Sequence, residues 1–446
     1  MNLFIWCNIA FGFYFLVAQQ KPFVNSYFAN VKVDSNILKA LGPGILFAST
    51  AIGVSHLVQS TRSGAEFGFA LVWAVIAANL FKYPFFEFGS RYASTTGTSI
   101  IDGYKKLGFW AILGYLLITL ASMFFVVAAV AIVTSGFLDN LFGLGNVRLL
   151  TPILIGGCVI ILILGRYRLL DSMIKVIGSV LLLSTLAAFV LTLDAGPQFE
   201  RDLTPVLDYS DENTFLFLFA LMGWMPTAVD LSAWNSLWTI ERAKQTGVRP
   251  PLKATLFDFN FGYLTSAFLS LCFVTLGAFL LYGGETELPK QSAAFASVVV
   301  SMYTKVIGNW SYFIIAIAAF SIMFGTCIAV LDGYARSFDR TLSLIANFKS
   351  RKRNYPIILG ILALISYAII EATVFQADDP NGFRFLVDLA TTISFLIAPI
   401  VAVLNLVLVT RKDFPLEGRP PGWLRILAYL GVIFLTVFSG IYIFAS

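Results

Sequence analysis

The chain has 446 residues, of which 58% are hydrophobic and 12% are charged, and its net charge is +5. A soluble globular protein has roughly 45–50% apolar and about 25% charged residues. The composition therefore excludes a soluble enzyme, a disordered chain and a collagen-like fibre, and it predicts an all-α polytopic membrane protein. The small positive charge gives no reason to expect a nucleic-acid partner, so the lipid bilayer is the partner that the composition predicts.

Eleven apolar segments are long enough to cross a bilayer, because a helical span needs about 20 residues. In chain order, these spans one to eleven cover residues 38–62, 69–89, 109–137, 149–165, 174–193, 214–238, 257–282, 310–333, 355–374, 385–409 and 424–444. A weaker apolar segment at residues 3–18 has no charged region before it and no clear cleavage site. Whether it forms a membrane helix stays open.

The Lys and Arg residues of the loops predict the orientation of the chain. The loops on one side hold 20 of them and the loops on the other side hold 6. Basic loops stay in the cytoplasm, so span one begins inside and the C-terminus lies outside. We expect a monomeric integral protein of a bacterial inner (plasma) membrane.

Cysteine and histidine are too scarce for most metal or redox chemistry. The four cysteines, at positions 7, 158, 272 and 327, each lie in an apolar run, which predicts buried thiols and no disulfide framework. The single histidine, His56, excludes a zinc site that needs two histidines. No cofactor is expected beyond a transported ion.

Spans one and six are each interrupted near their centres. Gly53 lies in a polar stretch of span one, and span six contains Gly223, Pro226 and, about one turn later, Asp230. Gly and Pro disturb the backbone hydrogen bonds of a membrane helix, whose carbonyls then need other partners. Interrupted helices at matching positions of two halves indicate a transporter site. We therefore predict that the two helices break near residues 52–55 and 222–226, and that the breaks face each other.

The positions of these two spans predict an internal repeat. Each is the first of five successive spans, and because five is an odd number the second set enters the membrane from the opposite side. The predicted organisation is an N-terminal apolar segment at 1–37, a first five-helix repeat at 38–194, a second inverted five-helix repeat at 195–409, and a last transmembrane helix at 410–446.

Several motifs of the chain resemble those of the NRAMP divalent-metal transporters. They are LGPG at 41–44, SGAEFG at 63–68, LVWAVIAANL at 71–80, an R-x-x-x-x-T-G pattern at 91–97 and the Met225-Pro226 pair. The resemblance covers spans one to three best and extends over the eleven-span layout. It implies a LeuT-type fold of two inverted five-helix repeats plus one further helix, and transport of a divalent transition metal by alternating access.

The sequence departs from this family at the metal-binding positions. The family carries Asp-Pro-Gly-Asn in broken span one, where the Asp and the Asn hold the metal, but residues 53–56 here read Gly-Val-Ser-His. The Met-Pro-His of span six is Met-Pro-Thr at 225–227. Span three has no Asp or Glu between residues 117 and 134. We therefore expect metal transport without the acidic proton path that the family has in span three.

We predict one central cation site between spans one, three, six and eight. Its predicted substrate or metal ligands are Gly53, Ser55, His56, Met222, Met225, Thr227 and Asp230. An imidazole and a thioether favour a softer divalent ion than Mg²⁺. Two structural interpretations remain open: His56 could bind freed backbone carbonyls, and Asp230 could pair with Lys82 or with an arginine.

Three hydroxyl residues could complete a sodium site, although Ser and Thr in helices more often bond to their own backbone. They are Thr50, Ser321 and Thr326. Charged residues spaced at i, i+4 predict ion pairs on one helix face. We interpret the following residues as structural or gating groups: Lys82, Glu87, Arg91, Asp332 and Arg336. Asp258 is predicted to cap the start of span seven.

Two other functions remain open. Because span one lacks a carboxylate, the site could take a small organic solute, with or without sodium, whose anionic group faces the positive helix ends. An intramembrane hydrolase would need Ser55, His56 and Asp230. Adjacent residues on a helix point about 100° apart, and nothing here resembles a nucleophile elbow. We therefore do not expect an enzyme.

Overall fold

The protein is described by a computed structural model that covers residues 42–165, 167–247, 249–284, 288–347, 353–377 and 381–445. Within these ranges every regular element is helical, so the prediction of an all-α polytopic protein is confirmed. The predicted N-terminal segment at 1–37 and Cys7 lie outside the described residues. Cys158, Cys272 and Cys327 are buried free thiols, as predicted.

The described α-helices are numbered here in chain order. They are α1 (Pro43–Ala51), α2 (Thr61–Phe67), α3 (Val72–Thr96), α4 (Ile100–Leu107), α5 (Phe109–Phe142), α6 (Val147–Ile163), α7 (Tyr167–Ala195), α8 (Glu212–Gly223), α9 (Leu231–Thr246), α10 (Leu252–Leu280), α11 (Ser292–Ile307), α12 (Tyr312–Ile345), α13 (Asn354–Ile370), α14 (Gly382–Thr410) and α15 (Gly422–Ala445). A π-helix at Ser55–Ser60 leads into α2, and another at Glu371–Phe375 follows α13.

Each predicted span has a helical counterpart. Span one is α1, the first π-helix and α2, and span six is α8 and α9. Among the described residues, six helices are long and apolar enough to cross a membrane by themselves, namely α5, α10, α12, α13, α14 and α15. Four of the other spans fall short for physical reasons. Spans one and six are divided, α6 is short, and α3 contains the charged residues Lys82, Glu87 and Arg91.

Two helices were not predicted, and some predicted spans are shorter than the helices that the structure shows. The short helix α4 follows α3, and α11 buries Phe295, Val299 and Tyr303 although its 16 residues are too few for a span. Helix α10 begins five residues before the predicted start at 257, and α12 continues past 333 to Ile345. Apolarity marks the membrane portion of a helix, whereas these helices extend beyond it as polar turns.

The capping prediction for Asp258 is wrong. Because α10 begins at Leu252, Asp258 lies inside the helix and not at its start. Its carboxylate instead accepts hydrogen bonds from the backbone N–H groups of Gly42, at 3.3 Å, and Gly44, at 2.6 Å. Asp258 therefore caps α1, where a negative charge is favourable at a helix N-terminus.

Glycines bring span one into backbone contact with α10. A Cβ atom on Gly44 or on Gly64 would collide with the backbone of α10, and one on Gly262 or on Gly277 would collide with the backbone of span one. Small residues allow membrane helices to approach this closely. Both halves of span one, and so the interruption between them, are thereby held against one continuous helix.

Candidate cation site

The break in span one lies where the sequence predicts it. Helix α1 ends at Ala51, and residues 52–54 separate it from the π-helix. The freed carbonyl of Ser49 accepts a hydrogen bond from Thr326 Oγ1 of α12 at 3.1 Å. A Cβ atom on Gly53 would lie 2.8 Å from the same hydroxyl. The break therefore needs a residue without a side chain at position 53, because α12 lies directly against it.

The break in span six is longer than predicted. Helix α8 ends at Gly223 and α9 begins at Leu231, so residues 224–230 are not helical. A Cβ atom on Gly223 would collide with the backbone of Thr391 in α14. Trp224 Nε1 donates to Ser394 Oγ, also in α14, at 2.8 Å. Helix α14 thus holds the first side of this break as α12 holds the break in span one.

Lys82 of α3 reaches into the break of span six. Its Nζ donates to the backbone carbonyls of Met222 at 2.5 Å, Gly223 at 2.7 Å and Thr227 at 3.5 Å. The side chain is 0% exposed. Within the described residues Lys82 forms no ion pair, so the suggested pair with Asp230 is not formed. Its ammonium group binds the freed carbonyls of α8 instead.

The two breaks meet at a small cavity. Its volume is about 20 Å³, which is enough for roughly one water-sized sphere. The breaks of spans one and six form two walls, and α5 and α12 complete it, so it lies between spans one, three, six and eight. Four lining residues carry hydroxyls, namely Thr50, Ser55, Thr227 and Thr326. The remaining lining residues are apolar: Val54, Val126, Val130, Trp224, Ala228, Leu231 and Val330.

His56 is buried beside this cavity but does not line it. Its Nε2 lies 2.8 Å from the backbone oxygen of Ser266 in α10, which can only accept, so Nε2 carries the proton and donates. Its Nδ1 lies 2.8 Å from Ser55 Oγ. Both ring nitrogens are therefore engaged, and the imidazole ties span one to α10. Nε2 binds Ser266 and not Asp230. Ser55, His56 and Asp230, which a hydrolase would need, therefore do not form a triad.

Neither methionine of the predicted ligand set lines the cavity. Met225 is fully buried, and its sulfur lies 3.7 Å from Ser60 Oγ of the π-helix. Met222 is also fully buried and contributes its carbonyl to Lys82. The thioethers therefore pack between helices, while Thr227 and Ser55 line the cavity from the two breaks. The Ser55 hydroxyl also bonds to the carbonyl of Ala51 and contacts His56 Nδ1.

Asp230 is buried at the far end of the break of span six and does not line the cavity. Its Oδ2 accepts a hydrogen bond from the Tyr334 hydroxyl at 3.1 Å, and that hydroxyl is 3.3 Å from Ser122 Oγ. Its Oδ1 has no hydrogen-bond partner among the described residues. Among all the residues that the structure describes, no three His, Cys, Asp or Glu side chains lie close enough together to hold a metal ion. The hydroxyl-bearing residues are thus the polar groups that a cation in the cavity would meet.

The residues of the suggested sodium site are only partly brought together. Thr50 and Thr326 line the cavity, but Ser321 does not and is half-buried elsewhere on α12. Thr50 Oγ1 donates to the carbonyl of Leu46 at 2.8 Å, so its hydroxyl bonds to its own helix.

The two predicted i, i+4 ion pairs are present and lie away from the cavity. Arg91 Nη2 is 2.5 Å from Glu87 Oε1, and Arg91 Nη1 donates to the carbonyl of Gly418 at 3.1 Å. Arg336 Nε is 2.7 Å from Asp332 Oδ1. The first pair therefore ties α3 to the loop before α15.

A polar network on the other half of span one was not predicted. Arg62 Nη1 donates to Asp388 Oδ1 of α14 at 2.7 Å and to Gln59 Oε1 at 3.2 Å, and its guanidinium lies 4.6 Å from the centre of the Phe217 ring. Arg62 Nε is 3.6 Å from Glu66 Oε1. The i, i+4 spacing of Arg62 and Glu66 is a sequence signal for part of this network. The network joins α2 to α14 on the side predicted to be outside.

Comparison with known proteins connects this geometry to a family. The sequence profile of the family described as natural resistance-associated macrophage protein-like (Nramp) matches residues 44–445. An uncharacterized protein of Pasteurella multocida (strain Pm70) is 35% identical over 411 residues, which cover 91% of this chain and 92% of that protein.

Solved structures show the same fold. A mutant of the Eremococcus coleocola manganese transporter superposes with a TM-score of 0.66 at 14% identity, covering 90% of this chain and 85% of that one. MhsT in complex with L-phenylalanine superposes with a TM-score of 0.56 at 13% identity, covering 89% of this chain and 98% of that one. The predicted LeuT-type fold with broken spans one and six is confirmed. This integral membrane protein belongs to the Nramp family.

Proposed function

We propose that this chain is a secondary transporter that carries a divalent transition-metal cation by alternating access. The observation that supports this most is the meeting of two helix breaks at a buried, ion-sized cavity. Unwound carbonyls and the C-terminal ends of half-helices are the groups that bind cations in transporters of this kind. Membership of the Nramp family and the fold shared with a manganese transporter support a divalent metal as the cargo.

The candidate ligand atoms at the cavity favour a hard metal ion. The sequence suggests a softer ion because of His56 and Met225, but neither side chain lines the cavity. Its polar lining consists of hydroxyls, and oxygen ligands suit Mn²⁺ or Mg²⁺ better than Cd²⁺. We therefore propose Mn²⁺ as the preferred transition metal. With no carboxylate on the cavity wall, the affinity for Mn²⁺ is expected to be low.

The size of the cavity favours an ion over an organic solute. Pockets for drug-sized organic ligands have about 300–1,000 Å³, whereas this cavity has about 20 Å³. MhsT shows that a related fold can hold L-phenylalanine, so the fold alone does not decide the cargo. The apolar walls formed by Val126, Val130 and Trp224 leave room for a single ion in this conformation.

We further propose that transport does not use a proton path through span three. Helix α5 has no Asp or Glu between residues 117 and 134. The loop charges support a cytoplasmic start of span one and an outside C-terminus in a bacterial inner membrane. The proposed transporter works as a monomer and needs no cofactor beyond the transported ion.

Uptake into liposomes tests this proposal. The purified protein is reconstituted with an Mn²⁺-quenched dye and a pH dye inside the vesicles. Mn²⁺ should quench the first dye without acidifying the interior. Thr227→Val removes one cavity hydroxyl at nearly constant volume and should slow uptake about tenfold, the effect of losing roughly 1.4 kcal/mol.

Ser321→Ala is the matched control, because Ser321 lies on α12 but not at the cavity, and its uptake should equal that of the wild type. Quenching no faster than in protein-free vesicles, or equal rates for Thr227→Val and the wild type, would contradict the proposal. Uptake of a labelled amino acid in place of Mn²⁺ would favour the organic-solute alternative.

A further inference from the structure

We propose that the carbonyl oxygens of Met222, Gly223 and Thr227 form a second cation site, which the ammonium group of Lys82 occupies in place of a free monovalent ion. We call these three oxygens the internal cation site. The inference does not depend on which cargo passes through the cavity. In this proposal Lys82 acts as a covalently attached cation that fills the internal cation site.

The contacts of Lys82 are those of a bound cation. Three carbonyl oxygens surround Nζ at 2.5, 2.7 and 3.5 Å. An ammonium group has three N–H donors and no acceptor, so it matches three acceptors, whereas a neutral amine would direct a lone pair at one of them. Backbone carbonyls are also the groups that replace the hydration shell of monovalent cations in selective protein sites.

The position of the site in the fold also favours a positive charge. Two of the three oxygens belong to the last turn of α8, which ends at Gly223. The C-terminal end of a helix carries a partial negative charge, and in transporters such half-helix ends bind Na⁺. The buried carboxylate of Asp230 lies in the same break and has one oxygen without a hydrogen-bond partner among the described residues.

Burying the charge of Lys82 inside the membrane protein is costly, so its presence there suggests a function. A charged residue inside a membrane protein is rare and is usually satisfied by partners that mark a functional position. Lys82 is fully buried, comes from α3 and, among the described residues, donates to three backbone carbonyls of the break. Because the ammonium group is covalently attached, it cannot exchange with the medium. The native protein therefore should not respond to Na⁺ or K⁺ at this site.

Shortening Lys82 should convert the internal cation site into one for a free ion. The test measures thermal unfolding of the full-length protein in detergent, in chloride salts of choline, Na⁺, K⁺ and ethylammonium at equal ionic strength. The wild type should unfold at the same temperature in all four. Lys82→Ala should unfold at a lower temperature in choline, and at least one of the other cations should raise it by about 2 °C or more.

Two control variants separate this effect from a general response to salt. Lys82→Arg keeps a covalently attached cation, so its unfolding temperature should be the same in all four salts. Lys105→Ala removes an exposed lysine of α4 and should also behave as the wild type.

Lys82→Ser provides a second short variant if Lys82→Ala is not stable enough to purify. Its yield of folded protein should be higher in Na⁺, K⁺ or ethylammonium than in choline. Equal behaviour of both short variants in all four salts would overturn the proposal. Failure of both to fold in every salt would overturn it as well, since a refilled site should restore the fold.

Discussion

His56 lies between span one and α10, and both of its ring nitrogens are hydrogen-bonded inside the protein. The sequence correctly shows that the only histidine of the chain is next to the break at Gly53. It does not show in which direction the ring points, because its partner Ser266 is 210 residues away in the chain. The structure favours a structural role for His56, although its ring binds a carbonyl of the continuous helix α10 and not one freed in the break. Ser55 and Thr227 line the cavity, and their role as ligands stays a prediction.

Replacement of His56 tests this structural interpretation. His56→Ala removes the hydrogen bond from Nε2 to the carbonyl of Ser266, which joins span one to α10, and the loss of one such bond costs about 0.5–1.5 kcal/mol of stability. The Kd for Mn²⁺ should stay within about threefold of the wild type, since less than 1 kcal/mol of binding energy is involved. Thermal unfolding and isothermal titration measure the two effects separately. An unchanged unfolding temperature with lost Mn²⁺ binding would show instead that the imidazole is a metal ligand.

The two broken helices show what can be predicted at the scale of an element. Gly53, Gly223 and Pro226 correctly indicated where spans one and six are interrupted. They did not indicate that the second break extends to Asp230. Within this break, the ammonium group of Lys82 binds backbone carbonyls from another helix. A long-range partner of this kind leaves no local pattern in the sequence.

The network of Arg62 is expected to close the cavity on the side predicted to be outside. Asp388→Asn should weaken the contact between α2 and α14, because it removes the carboxylate that Arg62 Nη1 binds at 2.7 Å. A cysteine placed at the cavity by Thr227→Cys then reports access for a thiol reagent added outside. Labelling should become about fivefold faster if the pair contributes roughly 1 kcal/mol.

The matched control for this experiment is Glu371→Gln. It removes the ion pair with Arg148, whose side chain is 56% exposed, and should leave the labelling rate unchanged. The Thr227→Cys protein without a second substitution is the reference. If adding Asp388→Asn does not speed its labelling, or if both variants speed it equally, the Arg62 network does not specifically close the cavity.

At the scale of the whole molecule, hydrophobicity and the two interruptions predicted the membrane helices and their breaks, and the resemblance to the NRAMP transporters implied the LeuT-type fold. All eleven spans have helical counterparts, and the solved transporter structures share the fold. The sequence did not predict α11, because a buried helix of 16 residues in a loop resembles neither a span nor a polar connection. The ligand set was harder still, since apolar packing against α10 and α14 decides which side chains of each break face the cavity.

The central claim is that a divalent metal binds between the breaks of spans one and six. Anomalous diffraction from crystals soaked in Mn²⁺ tests it most directly, because the metal is located without reference to any expected ligand. The account predicts one peak inside the cavity lined by Thr50, Ser55, Thr227 and Thr326. A protein that transports Mn²⁺ but shows its only peak beside His56 and Met225, or beside Asp230, would contradict this account.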